Sequence, residues 1–148
     1  MVEFVSVTLL SHALCEAVIN SILAIGLANA KSHGLFTLVE NAEVKKKWQF
    51  GPICFEPTYT LPKDTRLHEG LTGLCRFRNA FTHPKPTIKV NGEEVISGSD
   101  GNVRVSFEER TRWVNRFFEL PYELLRHACE QIQNSSVRLS VQSLLKEE

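Results

Sequence analysis

The sequence predicts a mainly α fold, a four- to five-helix bundle with a β-hairpin inserted near residues 87–105. Three features of its 148 residues point there. Apolar residues recur at threes and fours along most of the chain. A serine–glutamate capping pair, Ser106 and Glu109, precedes the last long helical stretch. Asn91-Gly92, the strongest short hairpin turn signature, parts two runs rich in β-formers, Thr87-Ile88-Lys89-Val90 and Glu93-Glu94-Val95-Ile96.

The elements follow in order. Over residues 6–31, Leu10, Leu14, Ala17, Val18, Ser21, Ile22 and Ile25 keep helical spacing. Leu9, Ala13, Ile19, Leu23 and Leu27 widen the apolar surface beyond one stripe, which predicts burial on several sides, in a bundle core or a subunit interface. Gly34 is the expected stop. A second helix is predicted over 35–47, with Leu35, Leu38, Val39 and Ala42 inward and Lys45, Lys46 and Lys47 complementing the dipole at its C-terminal end. Gly51, Pro52, Pro57 and Pro62 make 48–63 an irregular connection, in which Trp48 and Phe50 pack back on the core.

Asp64 or Thr65 caps a third helix over 66–82, with Leu67, Leu71, Leu74 and Phe81 on its apolar face and Pro84 and Pro86 ending it. After the hairpin, Val103-Arg104-Val105 suits a further short strand. The helix opened by Ser106 runs through Trp113, Val114, Phe117 and Phe118, is kinked or restarted by Pro121, and resumes with Leu124, Leu125, Ala128 and Ile132. Asn134-Ser135-Ser136 interrupts it, and 137–146 forms a short last helix. The whole length, 1–148, reads as one helical domain.

Composition is ordinary for a globular protein, with 43% hydrophobic and 23% charged residues. The formal net charge is zero, yet the charges are unevenly placed. Residues 1–44 carry one base and four acids, a balance of −3; residues 45–89 carry nine bases and three acids, +6; residues 90–148 carry seven bases and ten acids, −3. A basic middle between acidic flanks gives a local positive surface that suits a polyanion. Cys15, Cys54, Cys75 and Cys129 form no CxxC pair, so neither a disulfide framework nor a zinc ribbon is expected, and no metal or cofactor is called for. No basic n-region or cleavage site marks a signal peptide. Glu16, Asn20, Ser21 and Asn29 break the apolar stretch 13–30, which argues against a membrane span. A soluble cytoplasmic protein with no membrane partner follows as the expectation.

The end of the third helix reads Cys75-Arg76-Phe77-Arg78-Asn79-Ala80-Phe81-Thr82-His83-Pro84-Lys85-Pro86. Histidine moves protons near neutral pH, arginine offers phosphate a permanently charged fork, and asparagine orients either by hydrogen bonds. Together they suit metal-free cleavage of a phosphodiester. Asn79 and His83, four apart, are helical neighbours, whereas Arg78 and His83 are roughly 140° apart on an ideal helix. Pro84 pushes His83 out of helical dihedrals and the length of Arg78 lets it reach across, which together narrow that gap.

Arg78-Asn79-x-x-x-His83 resembles the motif of the HEPN superfamily, in which arginine, a polar residue and a closing histidine lie late in one helix of a small bundle. The resemblance implies a homodimer that brings two motifs into a shared cleft, and a metal-independent endoribonuclease with Arg78, Asn79 and His83 catalytic. It also implies products ending in a 2′,3′-cyclic phosphate and a 5′-hydroxyl. Lys45, Lys46, Lys47, Arg76 and Lys85 are the expected RNA-binding residues. Members often serve as toxins in toxin–antitoxin or antiviral systems, so an antitoxin protein is a further implied partner. Other members are non-catalytic binding modules, and that alternative stands beside the first. The 87–105 hairpin is outside the superfamily's common pattern.

Overall fold

Twenty-eight residues without a proline give the longest element, α1 (Val2–Asn29). The structure, a computed structural model, describes residues 2–83 and 105–145 with their side chains, and the backbone of 88–90, 93–98 and 101–104. Two short helices, α2 (Phe36–Val39) and α3 (Val44–Phe50), precede α4 (Arg66–Thr82); α5 (Phe107–Gln131) and α6 (Ser135–Ser143) complete a mainly helical fold. Among the described residues α1 is the axis, packing against α3, α4, α5 and α6, with α4 also against α5.

The ends of the elements have local causes. Lys31 closes α1 in the left-handed region, φ 56°. The Ser32 and Lys31 amides donate to the Leu27 and Ala28 carbonyls at 2.8 and 3.1 Å, a Schellman closure. The stop is therefore Lys31, not the expected Gly34. The predicted helix over 35–47 is two helices, because Glu43 has extended ψ (140°) and breaks the chain before Val44. Lys45 and Lys46 consequently lie in the first turn of α3, and of the three lysines only Lys47 falls in its last turn, where Glu16 and Asn20 take up its ammonium. The Thr65 side chain caps α4 through the His68 amide. Ser106 and Glu109 form the full capping box of α5, and Asn134 caps α6. Pro121 lies inside α5, which continues through it as one helix.

Between α4 and α5 the backbone of β1 (Ile88–Val90), β2 (Glu93–Gly98) and β3 (Gly101–Arg104) pairs antiparallel in the order β1-β2-β3. The Asn91-Gly92 turn lies outside the described residues, as do Pro84, Lys85, Pro86 and Thr87.

The core centres on Ile19, Ile22, Leu23, Trp48, Leu71, Leu74, Phe117, Leu120, Leu124 and Ala128, all fully buried. Where α1, α4 and α5 converge, Phe4 meets Phe77 edge-on at 5.1 Å and Phe81 at 5.5 Å, while Trp113 and Phe117 lie 5.2 Å apart. Gly73 lets Trp113 approach, since a Cβ there would meet its ring at 2.6 Å. This aromatic packing fixes the C-terminal half of α4.

Three packing expectations are corrected. In α1 the buried stripe is Phe4, Thr8, Ser11, Cys15, Ile19, Ile22, Leu23, Gly26 and Leu27, whereas Leu10 is 70% exposed and Leu14 and Ala17 also face out. Leu35 and Leu38 are exposed because α2 lies on the surface. Trp48 packs inward as expected, its indole donating to the Cys15 carbonyl at 3.1 Å, but Phe50 is exposed. By length and composition α1 is apolar enough to cross a membrane, with a mean hydropathy of 1.6 over its most apolar window. Its buried stripe is what the other helices pack on.

Candidate functional site

Phe77, Ala80 and Phe81 turn towards the core, which leaves Cys75, Arg78 and Asn79 on the flank of α4 that looks towards α1 and α3. There they line a cavity of about 280 Å3. From α1 come His12 and Glu16, one turn apart; Glu43 and Lys45 flank the entry to α3. The cavity is thus walled by three elements distant in sequence.

Arg78 is half-buried and donates from Nη1 to Asn79 Oδ1 at 3.1 Å. With its oxygen engaged, the Asn79 amide still has both N–H groups for a ligand. The two carboxylates of the cavity each meet a lysine: Glu16 accepts from Lys47 at 3.1 Å, and Glu43 lies 3.7 Å from Lys46. Among the described residues no carboxylate pairs with Arg78 or Lys45. A half-buried guanidinium without an anionic partner, in a concave site, suits an anion such as phosphate.

His12 is half-buried in this cavity. Burial holds its pKa below the ordinary 6.5, Arg78 lowers it further, Glu16 opposes that, and Lys47 adds a smaller lowering effect. The imidazole is therefore neutral at pH 7, with a free nitrogen lone pair. Burial also raises the thiols of Cys15 and Cys75, so neither is a poised thiolate.

His83 caps the end of α4 with φ −121° and ψ 66°, outside helical dihedrals, and its amide donates to the Asn79 carbonyl at 3.0 Å. Its side chain is exposed and is not among the residues lining the cavity. Within one chain, then, the cavity brings Arg78 and Asn79 together with His12, while His83 stands at its own helix end.

The expected RNA-binding residues separate. Lys45 lines the cavity and Lys46 is exposed. Lys47 is a correction: its ammonium is fully buried, donating to Glu16 Oε1 at 3.1 Å and Asn20 Oδ1 at 3.0 Å, so it is a structural strut that no RNA can reach. Arg76 is exposed, its guanidinium 5.8 Å from the Phe77 ring centre, and Lys85 lies outside the described residues.

A larger cavity, about 450 Å3, opens between α4 and α5, and three of its charged residues, Arg66, Arg116 and Glu119, are engaged. Arg116 pairs with Glu123 and donates to the Arg66 carbonyl, and Arg66 pairs with Glu119. Two other histidines are held as well, His68 by Gln49 and His127 by the Thr60 carbonyl. Among the described residues no three His, Cys, Asp or Glu side chains gather as metal ligands would.

Sequence reasoning did not single out His12. Its place two turns ahead of Ile19 on a largely apolar helix gave no sign that it would face Arg78, 66 positions on. No family model, curated protein or solved structure matches this chain.

Proposed function

We propose that this protein is a metal-independent endoribonuclease of HEPN type, acting as a homodimer. The observation that carries the reading is Arg78 and Asn79 side by side in a cavity, hydrogen-bonded to one another and, among the described residues, with no carboxylate on the guanidinium. In that reading Arg78 stabilises the phosphorane, Asn79 orients the phosphate, and His83 transfers a proton. The 2′-oxygen attacks phosphorus and the 5′-oxygen leaves, giving a 2′,3′-cyclic phosphate and a 5′-hydroxyl. Lys45 and Arg76 guide the strand. In that reading the strands at 88–104 are a subfamily insertion within the helical frame.

A second reading, a helical binding module without catalysis, is favoured by one observation: the His83 side chain is exposed and outside the cavity of its own chain. A homodimer brings a second Arg78 and His83 to the cleft, and cleavage separates the two readings. Purified protein should cut members of a broad RNA panel with EDTA present, leaving cyclic-phosphate ends. His83→Ala and Arg78→Ala should each lower the rate by about 10²–10⁴. Asn79→Ala should cost less, since Arg78 keeps its charge. A wild type that binds RNA but cuts nothing leaves the module reading in its place.

A further inference from the structure

We infer that His12 is a second proton-transfer residue of this site, the general base that takes the proton of the attacking 2′-hydroxyl, leaving His83 to protonate the departing 5′-oxygen. The assignment rests on the ribonuclease reading and adds to it a residue that lies 66 positions from Arg78, on another helix.

Geometry carries the assignment. His12 shares one cavity with Arg78 and Asn79, the two groups proposed to hold the phosphate, whereas His83 is exposed beyond its lining. A phosphate bound by Arg78 would therefore meet the His12 ring inside the cavity, near the ribose oxygen that attacks. Burial first, then Arg78 on α4 and more weakly Lys47 on α3, favour the neutral ring, and Glu16, a turn along α1, acts the other way but is engaged by Lys47. Lys45 and Glu43 stand at the mouth, with Cys75, a protonated thiol, on the wall. A base must be unprotonated when substrate arrives, and burial beside Arg78 achieves this at neutral pH. Once protonated, the imidazolium faces the negative phosphorane, which stabilises it.

The step balances without a redox partner. The O2′–P bond forms while the P–O5′ bond breaks; the 2′-hydroxyl proton goes to His12, and the 5′-oxygen gains one from His83. Solvent then restores both histidines.

Two substrates distinguish a base from an acid: an end-labelled RNA, and the same RNA with a bridging sulfur in place of the 5′-oxygen at the mapped cut. Sulfur leaves unprotonated, so it relieves the loss of an acid and not the loss of a base. His12→Gln and His12→Ala should each lower kcat/KM by about 10²–10⁴ on both substrates, with thermal melts unchanged. His83→Ala should be slow on the ordinary RNA and restored on the sulfur one. In the wild type alone, log kcat/KM should fall on the acid side through a group titrating below 6.5, a limb that His12→Gln removes. Wild-type rates in the folded His12 variants, rescue of those variants by sulfur, or a wild-type profile without that limb each overturn the assignment and leave the ribonuclease reading standing. A wild type that cuts no RNA takes away the ribonuclease reading first, and the assignment with it.

Discussion

Replacing Lys47 by methionine tests what a fully buried ammonium contributes at the joint between α1 and α3. Its side chain has no exposed surface, and its nitrogen donates to Glu16 at 3.1 Å and Asn20 at 3.0 Å. Methionine keeps most of the apolar stem and removes both hydrogen bonds. A hydrogen bond to a charged group is worth about 1.5–3 kcal/mol net. Two effects reduce the loss: the Glu16 side chain is 42% exposed, so its carboxylate regains water, and a buried ammonium no longer has to be desolvated. The expected destabilisation is about 1–2 kcal/mol for Lys47→Met. Alanine also deletes three methylenes at about 0.8 kcal/mol each, which raises the loss to about 3–4 kcal/mol. Urea unfolding followed by the fluorescence of Trp48, which is buried beside Lys47, reads both. In thermal melts each kcal/mol corresponds to roughly 2–4 °C at this chain length. Lys46→Gln, at an exposed position, serves as control and should stay within about 0.5 kcal/mol of wild type. If Lys47→Met and Lys46→Gln prove equally mild, the strut is not one, and Lys47 returns to the list of residues free to bind RNA.

Three further outcomes follow from the same packing. Lys45→Gln should weaken RNA binding and flatten its salt dependence by about one unit of slope; unchanged affinity and slope would remove the cavity mouth from the RNA path. The exposed apolar face of α1, with Leu10 and Leu14, is the expected dimer surface, so sedimentation should show a dimer at micromolar concentration and a monomer for Leu10→Glu/Leu14→Glu; a monomeric wild type refutes it. Stability should fall on acidification in two stages. The unfolded chain takes up a proton near pH 6.5 that His12 in the folded state refuses, so stability present above 6.5 declines below it. Glu56, held below its ordinary 4.5 by hydrogen bonds from Thr58 and the Gln133 amide, adds stability that is present above 4.5 and lost as pH falls through its lowered value. Urea midpoints against pH should show His12→Gln diminishing the first stage, to which His68, also held below 6.5 by burial, contributes the rest, and Glu56→Gln diminishing the second; two unaltered profiles would sink the assignment of both.

What the sequence disclosed depended on whether the signal was local. Ser106 and Glu109 bond across three residues, as do Thr65 and His68, so a short window holds all the information about where α5 and α4 begin. Leu124, Leu125, Ala128 and Ile132 were equally legible, because polar residues separate them and only one face of α5 could be inward. α1 defeated the same method. It is apolar on nearly every side, so periodicity could not choose a face, and the structure buries Thr8 and Ser11 while exposing Leu10. Thr8 tolerates burial because its hydroxyl donates to the Phe4 carbonyl at 2.7 Å. The absence of a side chain at Gly26 lets a neighbour approach; a Cβ there would meet the Phe55 ring at 2.3 Å. Close approach selected the buried face where hydrophobicity could not.

The same distinction explains the candidate site. Arg78 and Asn79 were legible as a pair, since adjacent residues on one helix stay together whatever the tertiary fold, and they do share a hydrogen bond. His83 was legible as a departure from helix, because the proline after it forbids helical dihedrals and its ψ is 66°. The partner that α4 presents these residues to was not legible. That choice belongs to the aromatic packing of Phe4, Phe77 and Phe81, which rotates α4 so that its Cys75–Asn79 flank looks at α1. It also belongs to Lys47, which ties α3 to Glu16 four residues after His12. Three lysines in a row were indistinguishable by composition, and at about 100° per residue they had to point three ways. One became the strut, one the cavity mouth and one the exposed surface. A charge run on a helix therefore specifies a net charge for the segment but not a binding face, and it was the rotation of α3 that removed Lys47 from the surface and placed it behind the carboxylate beside His12.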